Sequence, residues 1–504
     1  MTGRAYLIGA GPGDPKLLTL RGRELLERAD IVFYDALANP SLLKYARPDA
    51  EKVYVGKRGG ENYIQQEELN ARLVKAAREG KTIARLKGGD PFIFGRGGEE
   101  AEMLRLAGVE VEIAPGVPSP VAAPAYAGIP LTHREFASSA AFVTGHEDPS
   151  KPSPSVDWRK LADAVDTIAA LMGMGNLARI AEELIAGGRA PETPAAVIQW
   201  GTLPRQRTVL AQLSTVAAEA EKAGVGSPAI VLIGEVAQLR ERLAWFDRRP
   251  LFGRTAVVTR ARSQASSLVG LLEEAGAEVI ECPSIRAVPL KENALLDASV
   301  KVLRGFDWTI FSSVNAVDAF WERLESAGLD ARAFGACRVA AVGPATARRL
   351  RERGIQPDLV PRESRSEGVL KELENPVWKR FLLVRALKGR ETLREGLRNA
   401  GAEVVDAPAY ETIADAQNAD LVKERLAQRG VDVVTFTSGS TVENFLKALQ
   451  TEDAEDLLQN AAVAAIGPVT RAAAEARGLK VAIEAPEASV ESLAEAVNSY
   501  FAGK

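Results

Sequence analysis

Histidine and cysteine are almost missing from this chain of 504 residues, which has only His133, His146, Cys282 and Cys337. These four form no C-x-x-C or H-x-x-x-H ladder, so a structural zinc is not expected and a disulfide framework is excluded. The two cysteines are expected to be reduced core residues of a cytoplasmic protein. No run reaches 18 apolar residues, so no membrane-spanning helix is predicted. The first residues, Met-Thr-Gly-Arg-Ala-Tyr-Leu-Ile-Gly, carry no apolar leader pattern. An excess of either charge is also absent: 63 Lys and Arg against 67 Asp and Glu give a net charge of −4. No global cationic field draws the chain to nucleic acid, although local basic patches remain open. Disordered, collagen-like and coiled-coil compositions are excluded too, because 46% of residues are hydrophobic and glycine and proline are dispersed.

At roughly 100–200 residues per domain the length predicts three to four structural units. Short apolar runs alternate with amphipathic stretches throughout, the pattern of α/β domains. In the first half, strands are predicted at Ala5–Gly9, Ile31–Tyr34, Lys52–Val55, Thr82–Leu86, Val109–Ile113 and Ala140–Thr144. The segment EDPSKPSPSVDW, residues 147–158, reads as an exposed linker. Strands resume at Thr167–Leu171, Ala195–Gln199 and Ala229–Ile233, and another begins at Thr255 after a boundary near 245–253.

The last 250 residues or so contain a repeat. Ala275-Gly276-Ala277-Glu278-Val279 recurs as Ala400-Gly401-Ala402-Glu403-Val404, and Phe311-Ser312-Ser313 as Phe436-Thr437-Ser438. Gly343-Pro344-Ala345-Thr346 recurs as Gly467-Pro468-Val469-Thr470, so the three offsets are 125, 125 and 124 residues. Two similar α/β lobes with a ligand cleft between them are expected. Both histidines lie in the first half, so the lobes hold no Ser-His-Asp or Cys-His set. Their Ser/Thr loops serve either as helix N-caps or as ligand contacts.

In the first half, Gly9-Ala10-Gly11-Pro12-Gly13-Asp14-Pro15 follows a strand, but it is not a dinucleotide fingerprint. The glycines are spaced G-x-G-x-G, and Pro12 and Pro15 remove two backbone donors. No P-loop sequence is present. A rigid turn without a ligand is one reading. A ligand pocket is the other, because two more special loops leave strands: Arg85–Glu100, with five glycines, and Ala114–Ser119. Three such loops at successive strand ends describe a site at the carboxyl edge of a sheet.

GAGPGDP, RLKGGDPFIFGRGGEE, AYAGIPLTHR at 125–134, TGH at 144–146, and Gly201-Thr202 with Gln206-Arg207 resemble uroporphyrinogen-III C-methyltransferase, of the tetrapyrrole methylase fold. The resemblance covers about residues 3–247. It implies two α/β sub-domains (about 1–146 and 158–247), with S-adenosylmethionine as methyl donor held between them by Pro12, Gly88, Gly89, Asp90, Ile93, Ser119, Met172, Gly201 and Ala229. It implies methylation of uroporphyrinogen III at C2 and C7 to precorrin-2, on the siroheme and cobalamin route, by a homodimer assembled through this half. Asp35 corresponds to the proton acceptor and Lys57 to the proton donor. From the residues alone, Asp35 also reads as a helix cap, Lys57 as a surface charge and Met172 as core. The substrate carries an acetate and a propionate on every ring, so Arg58, Lys87, Arg96 and Arg134 are candidate cations. Two residues depart from the family pattern: Pro118 stands where Ser or Thr is usual, and Asn62 where many members have His.

Beyond a linker at 248–253, residues 254–504 resemble uroporphyrinogen-III synthase. The motifs are Val258-Thr259-Arg260, Phe311–Val317, Pro408–Thr412, Phe436–Ser440 and Ala465–Thr470. This implies two lobes, 254–288 plus 415–504 and 289–414, which cyclise hydroxymethylbilane with inversion of ring D. Tyr410 corresponds to the candidate acid, Arg260 to a carboxylate partner, and Ser438 and Thr470 to loops facing substrate. From the residues alone, Tyr410 also reads as a strand aromatic. The alternatives are a related methylase of other regiochemistry or a nucleotide-dependent oxidoreductase in the first half, and a non-catalytic binding or regulatory module in the second.

Overall fold

The computed structural model of the chain describes residues 3–56, 65–146, 156–260, 262–283, 285–363, 365–389, 391–414, 418–451 and 454–502. It divides into two compact units, one made of Met1–Thr255, Leu271–Glu278 and Asn498–Lys504, the other of Ala256–Gly270 and Val279–Val497. Both are α/β. Among the described residues no helix is long and apolar enough to cross a membrane. Cys282 and Cys337 are buried thiols.

The first unit carries two sheets. Strands β1 (Arg4–Gly9), β2 (Ile31–Tyr34), β3 (Glu51–Tyr54), β4 (Ile83–Lys87) and β5 (Glu110–Ala114) form the first, in the order β3-β2-β4-β1-β5. Every neighbouring pair is parallel, so all five carboxyl ends share one edge. Strand β4 is buried along its whole length. Its Ala84 and Leu86 join the core containing Leu25 and Leu26, and Ile83 joins the opposite core with Leu73 and Leu104. The chain leaving β1 therefore passes to one face and the chain leaving β4 to the other, which opens a gap between two adjacent strand ends.

The second sheet contains β6 (Ala140–Thr144), β7 (Thr167–Leu171), β8 (Pro194–Gln199), β9 (Arg207–Gln212) and β10 (Ala229–Ile233), in the order β6-β7-β10-β8-β9. Only β6 and β7 pair in parallel, and the remaining pairs are antiparallel. Strand β6 already belongs to this sheet, so the chain leaves the first sheet before residue 140, upstream of the proline-rich segment expected to divide the halves. Residues 147–155 of that segment lie outside the described residues. The edge strand β9 is absent from the predicted set. Its RTVLAQ run mixes exposed and half-buried positions and shows no continuous apolar signal.

In the second unit the strands are β11 (Thr255–Val258), β12 (Glu278–Glu281), β13 (Ile285–Pro289), β14 (Trp308–Phe311), β15 (Arg338–Ala341), β16 (Arg380–Ala386), β17 (Glu403–Ala414), β18 (Val433–Phe436), β19 (Ala462–Ala465) and β20 (Val481–Glu484). They form two sheets, β12-β11-β18-β19-β20 and β13-β17-β16-β14-β15, the second with β13 antiparallel to β17. The internal repeat falls on equivalent places in the two sheets. Phe311-Ser312-Ser313 leads from β14 into the helix Val314–Ser326, and Phe436-Thr437-Ser438 leads from β18 into the helix Gly439–Ala448. The two Gly-Pro turns open the helices Pro344–Glu352 and Pro468–Glu475, with proline in the first turn where its missing N–H costs nothing.

Candidate active sites

At the carboxyl edge of the first sheet the loops after β1, β4 and β5 meet backbone to backbone. The Gly11 and Gly89 amides donate to each other's carbonyls at 3.2 and 2.7 Å. A Cβ on Gly9 would lie 2.4 Å from Gly116 Cα, and one on Gly116 would lie 2.2 Å from the Gly89 carbonyl oxygen. Side chains cannot enter this junction, which is the physical reason for its glycines. Gly89 has φ +68°, and its open side faces the Ser119 amide. Asp90 Oδ1 accepts from the Phe92 amide at 2.8 Å, and its Oδ2 from the Gly116 amide at 3.0 Å, so this carboxylate ties the second loop to the third. Ile93 closes the same turn through its amide to the Asp90 carbonyl.

The second sheet brings its own loops to this place. In its register Ala229 faces Gln199 and Ile230 faces Leu171, which puts Ala229, Met172 and the β8–β9 turn at one edge. A Cβ on Gly201 would lie 2.4 Å from Ala123 Cβ on the helix Ser119–Tyr126. The Asp14 amide donates to Thr202 Oγ1 at 3.0 Å, while the Thr202 amide donates to Gln206 Oε1 at 2.9 Å. Tyr126 donates its hydroxyl to Asp14 Oδ2 at 2.8 Å, and burial with this bond raises the phenol's pKa well above its ordinary value. Met172, Trp200 and Thr202 all have φ between 51° and 71°, strained for residues with side chains. Met172 is half exposed rather than core.

Asp35 leaves β2 beside these loops, and Leu37, two residues on, packs so close that a Cβ on Gly88 would lie 2.6 Å from its Cβ. Asp35 caps no helix: Oδ1 accepts from the Leu37 amide at 3.1 Å and Oδ2 from Arg85 Nη2 at 2.7 Å. Lys87 corrects an expectation. It is the last residue of fully buried β4, and its enclosed side chain donates to Glu100 Oε1 at 2.8 Å instead of standing free for a substrate carboxylate. Its burial, with Arg85 nearby, pushes the ammonium pKa below its ordinary value despite Glu100. Arg96 stands at φ 58° before the helix Gly97–Leu106 and pairs with Glu99 at 2.6 Å. Arg134 is exposed in the turn between His133 and Ala137. Lys57, Arg58 and Asn62 lie outside the described residues.

In the second unit, Tyr410 of β17 is buried, and its hydroxyl is 3.0 Å from Ser313 Oγ. Ser313 Oγ also accepts from the Ala316 amide as the N-cap of the helix Val314–Ser326. Arg260, at the end of β11, is half buried, and that burial pushes its guanidinium pKa down.

Residues 4–217 match the family model of tetrapyrrole (corrin/porphyrin) methylases, and residues 266–495 match that of uroporphyrinogen-III synthase HemD. A porphyrin biosynthesis protein HemD of Ruminiclostridium josui is 36% identical over 493 residues, 97% of each chain. The chain belongs to the tetrapyrrole methylase–uroporphyrinogen-III synthase family. A uroporphyrinogen-III C-methyltransferase of Bacillus subtilis is 41% identical over 363 residues, 71% of this chain and 74% of that one. An S-adenosyl-L-methionine-dependent uroporphyrinogen III methyltransferase of Methanosarcina barkeri is 49% identical over 241 residues, 48% of this chain and 94% of that one.

Two expectations for the synthase half need correction. Ser438 was expected in a loop facing substrate, but its amide turns inward and donates to Thr441 Oγ1 at 3.2 Å. Its hydroxyl accepts from the Thr441 amide at 3.3 Å, which completes a capping box for the helix Gly439–Ala448. Thr470 lies inside the helix Pro468–Glu475 and is buried, not in a loop, because Pro468 starts the helix two residues earlier. In the methylase half, sequence reasoning gave no role to Asp14, Tyr126, Thr202 or Glu100. The signal for Glu100 was available: two cations at alternate positions of a strand buried on both faces require an anion.

Proposed function

We propose that the methylase half binds S-adenosylmethionine on the joined loops Pro12, Gly88–Ile93, Ser119, Met172, Gly201 and Ala229, and methylates uroporphyrinogen III at C2 and C7. The observation carrying this reading is the side-chain-free junction of Gly9, Gly89 and Gly116 next to the Asp35–Arg85 pair. The loops fit the donor. Gly89 is open on its Cβ side to close approach, and Asp90 spends one acceptor position of each oxygen on an amide, leaving others for a ribose diol or an ammonium group. When bound, the donor supplies a methyl group on a cationic sulfonium.

The chain's own groups do the rest. An electron-rich pyrrole carbon is the nucleophile, and a proton must leave the macrocycle afterwards. Asp35 accepts it: its carboxylate stands at the sheet edge, held by Arg85 on Oδ2. Lys57 is the proposed proton donor. Arg58, Arg96 and Arg134 take substrate carboxylates; the exposed Arg96–Glu99 pair holds little free energy and can be exchanged for a propionate.

The synthase half cyclises hydroxymethylbilane to uroporphyrinogen III. Loss of the hydroxymethyl oxygen as water needs an acid, and Tyr410 is that group, held by Ser313. Arg260 pairs with a substrate carboxylate, while Ser438 and Thr470 shape helix starts around the substrate. A homodimer through the methylase half is part of this reading, and light scattering would read it as twice the chain mass. Asp35→Asn tests the methylase assignment: methyl transfer should be lost while S-adenosylmethionine binding and cyclisation persist. Equal loss of methylation and cyclisation would overturn it.

A further inference from the structure

Below Asp35 lies a set of buried charges that the proposed chemistry leaves unexplained. Arg85 and Lys87 extend from β4 with side chains 6% and 5% exposed, and Glu100 of the helix Gly97–Leu106 is fully enclosed. Glu100 Oε1 accepts from Lys87 Nζ at 2.8 Å and from Gln66 Nε2 at 3.1 Å, and lies 3.5 Å from Arg85 Nε. Arg85 then donates through Nη1 to the Leu86 carbonyl at 2.9 Å and through Nη2 to Asp35 Oδ2 at 2.7 Å. Lys87, Glu100, Arg85 and Asp35 thus form a line of alternating charge whose partly exposed end is Asp35. Gln66 is also bonded to Asn70 on the helix Gln66–Arg78. Lys57 and Arg58, beyond β3, are outside the described residues.

Stability does not account for this line, because buried ions are commonly replaced by apolar side chains without loss. The hydrogen bonding is incomplete as well: Arg85 Nε and Glu100 Oε2 are buried without a hydrogen-bond partner. Such a network is kept for what its exposed end does, and its only partly exposed member is the Asp35 carboxylate, 23% open.

We propose that Glu100 is a positioning residue for methyl transfer, which holds Arg85 against Asp35 so that the proton-accepting carboxylate is correctly aimed. This rests on the reading of Asp35 as proton acceptor. Lys87 balances the charge of Glu100, and Arg85 keeps its Nη2 bond for Asp35. Removing either Arg85 or Glu100 then frees the Asp35 carboxylate to turn.

The test is the split of kcat from KM in methyl transfer to uroporphyrinogen III by the full chain, with S-adenosylmethionine binding by calorimetry as the control for folding. Glu100→Gln and Arg85→Gln should each lower kcat about tenfold or more with KM and donor binding unchanged, since Asp35 is no longer held. Glu100→Asp, which keeps the charge, should recover most of that loss. Native kcat in Glu100→Gln, or a loss carried in KM instead of kcat, would overturn the proposal. If Glu100→Gln fails to bind the donor, native kcat in Arg85→Gln overturns it alone. Full methylation by Asp35→Asn would overturn the proton-acceptor reading itself, whereas an inactive Asp35→Asn with native kcat in the Glu100 and Arg85 variants would overturn only the positioning role.

Discussion

Gly116→Ala is the most direct perturbation of the junction that joins the methylase loops. The new Cβ would stand 2.2 Å from the Gly89 carbonyl oxygen, 2.7 Å from Gly9 Cα and 2.9 Å from the Gly9 carbonyl carbon. Close C···O contacts run at about 3.3 Å, so the third loop must move away from the other two by about 1 Å. All three obstacles are backbone atoms, two at the end of β1 and one in the loop leaving β4, so no side chain can rotate aside. The expected cost in stability is about 1–3 kcal/mol. A displacement of about 1 Å also moves Ser119 and the amide that holds Asp90 Oδ2, enough to lower kcat/KM about 10²-fold. The assay is transfer of labelled methyl from S-adenosylmethionine to uroporphyrinogen III, with cyclisation of hydroxymethylbilane by the same preparation as internal control. Gly98→Ala is the matched comparison: a Cβ there meets nothing within 4 Å, and alanine in a helix is favoured over glycine by up to about 1 kcal/mol. A Gly116→Ala enzyme that methylates at the native rate would refute the close-packed junction as the donor site.

Tyr410→Phe keeps the buried ring but removes the hydroxyl that meets Ser313; cyclisation should slow about 10²-fold or more with methylation unchanged, as measured by the type III product formed per minute. Thr202→Ala leaves the Asp14 amide without its acceptor and should raise the KM for S-adenosylmethionine several-fold, whereas Thr202→Ser should restore it; equal KM values in the two variants would remove this contact from the account. Lys87 governs an alkaline effect. Unfolded, it holds its proton up to the ordinary value of 10.5, but burial in the folded chain releases the proton earlier. Between the two the unfolded state binds more protons, so stability of the methylase half should rise with pH in that window. Urea unfolding across the alkaline range should show this slope, and Lys87→Met should flatten it.

Much of the strand succession was legible because β1, β2, β7 and β10 are short apolar runs, β1 and β10 bounded by glycine or proline and β2 and β7 preceded by aspartate, and most observed ends fall within a residue of the expected ones. The hairpin partner β9 was not, because an edge strand with one wet face shows a broken pattern. The passage of β6 into the second sheet was also hidden. Its sequence is that of a strand, and nothing local says which sheet it joins. The repeat located both Ser/Thr loops of the synthase half, but spacing cannot tell a hydroxyl that caps its own helix from one that faces a ligand. Ser438 shows the first outcome, and Ser313, which caps a helix and meets Tyr410, shows that one hydroxyl does both. Lys87 was misread for a related reason: motif proximity placed it near the site, whereas the alternation of β4 turns it to Glu100.

The central claim is that one chain makes the macrocycle and then methylates it. Purified protein given hydroxymethylbilane and S-adenosylmethionine under anaerobic conditions should yield precorrin-2, with uroporphyrinogen III as the intermediate that accumulates when the donor is withheld. Formation of only the uncatalysed type I macrocycle would contradict the synthase assignment, and type III macrocycle left unmethylated at saturating donor would contradict the methylase assignment.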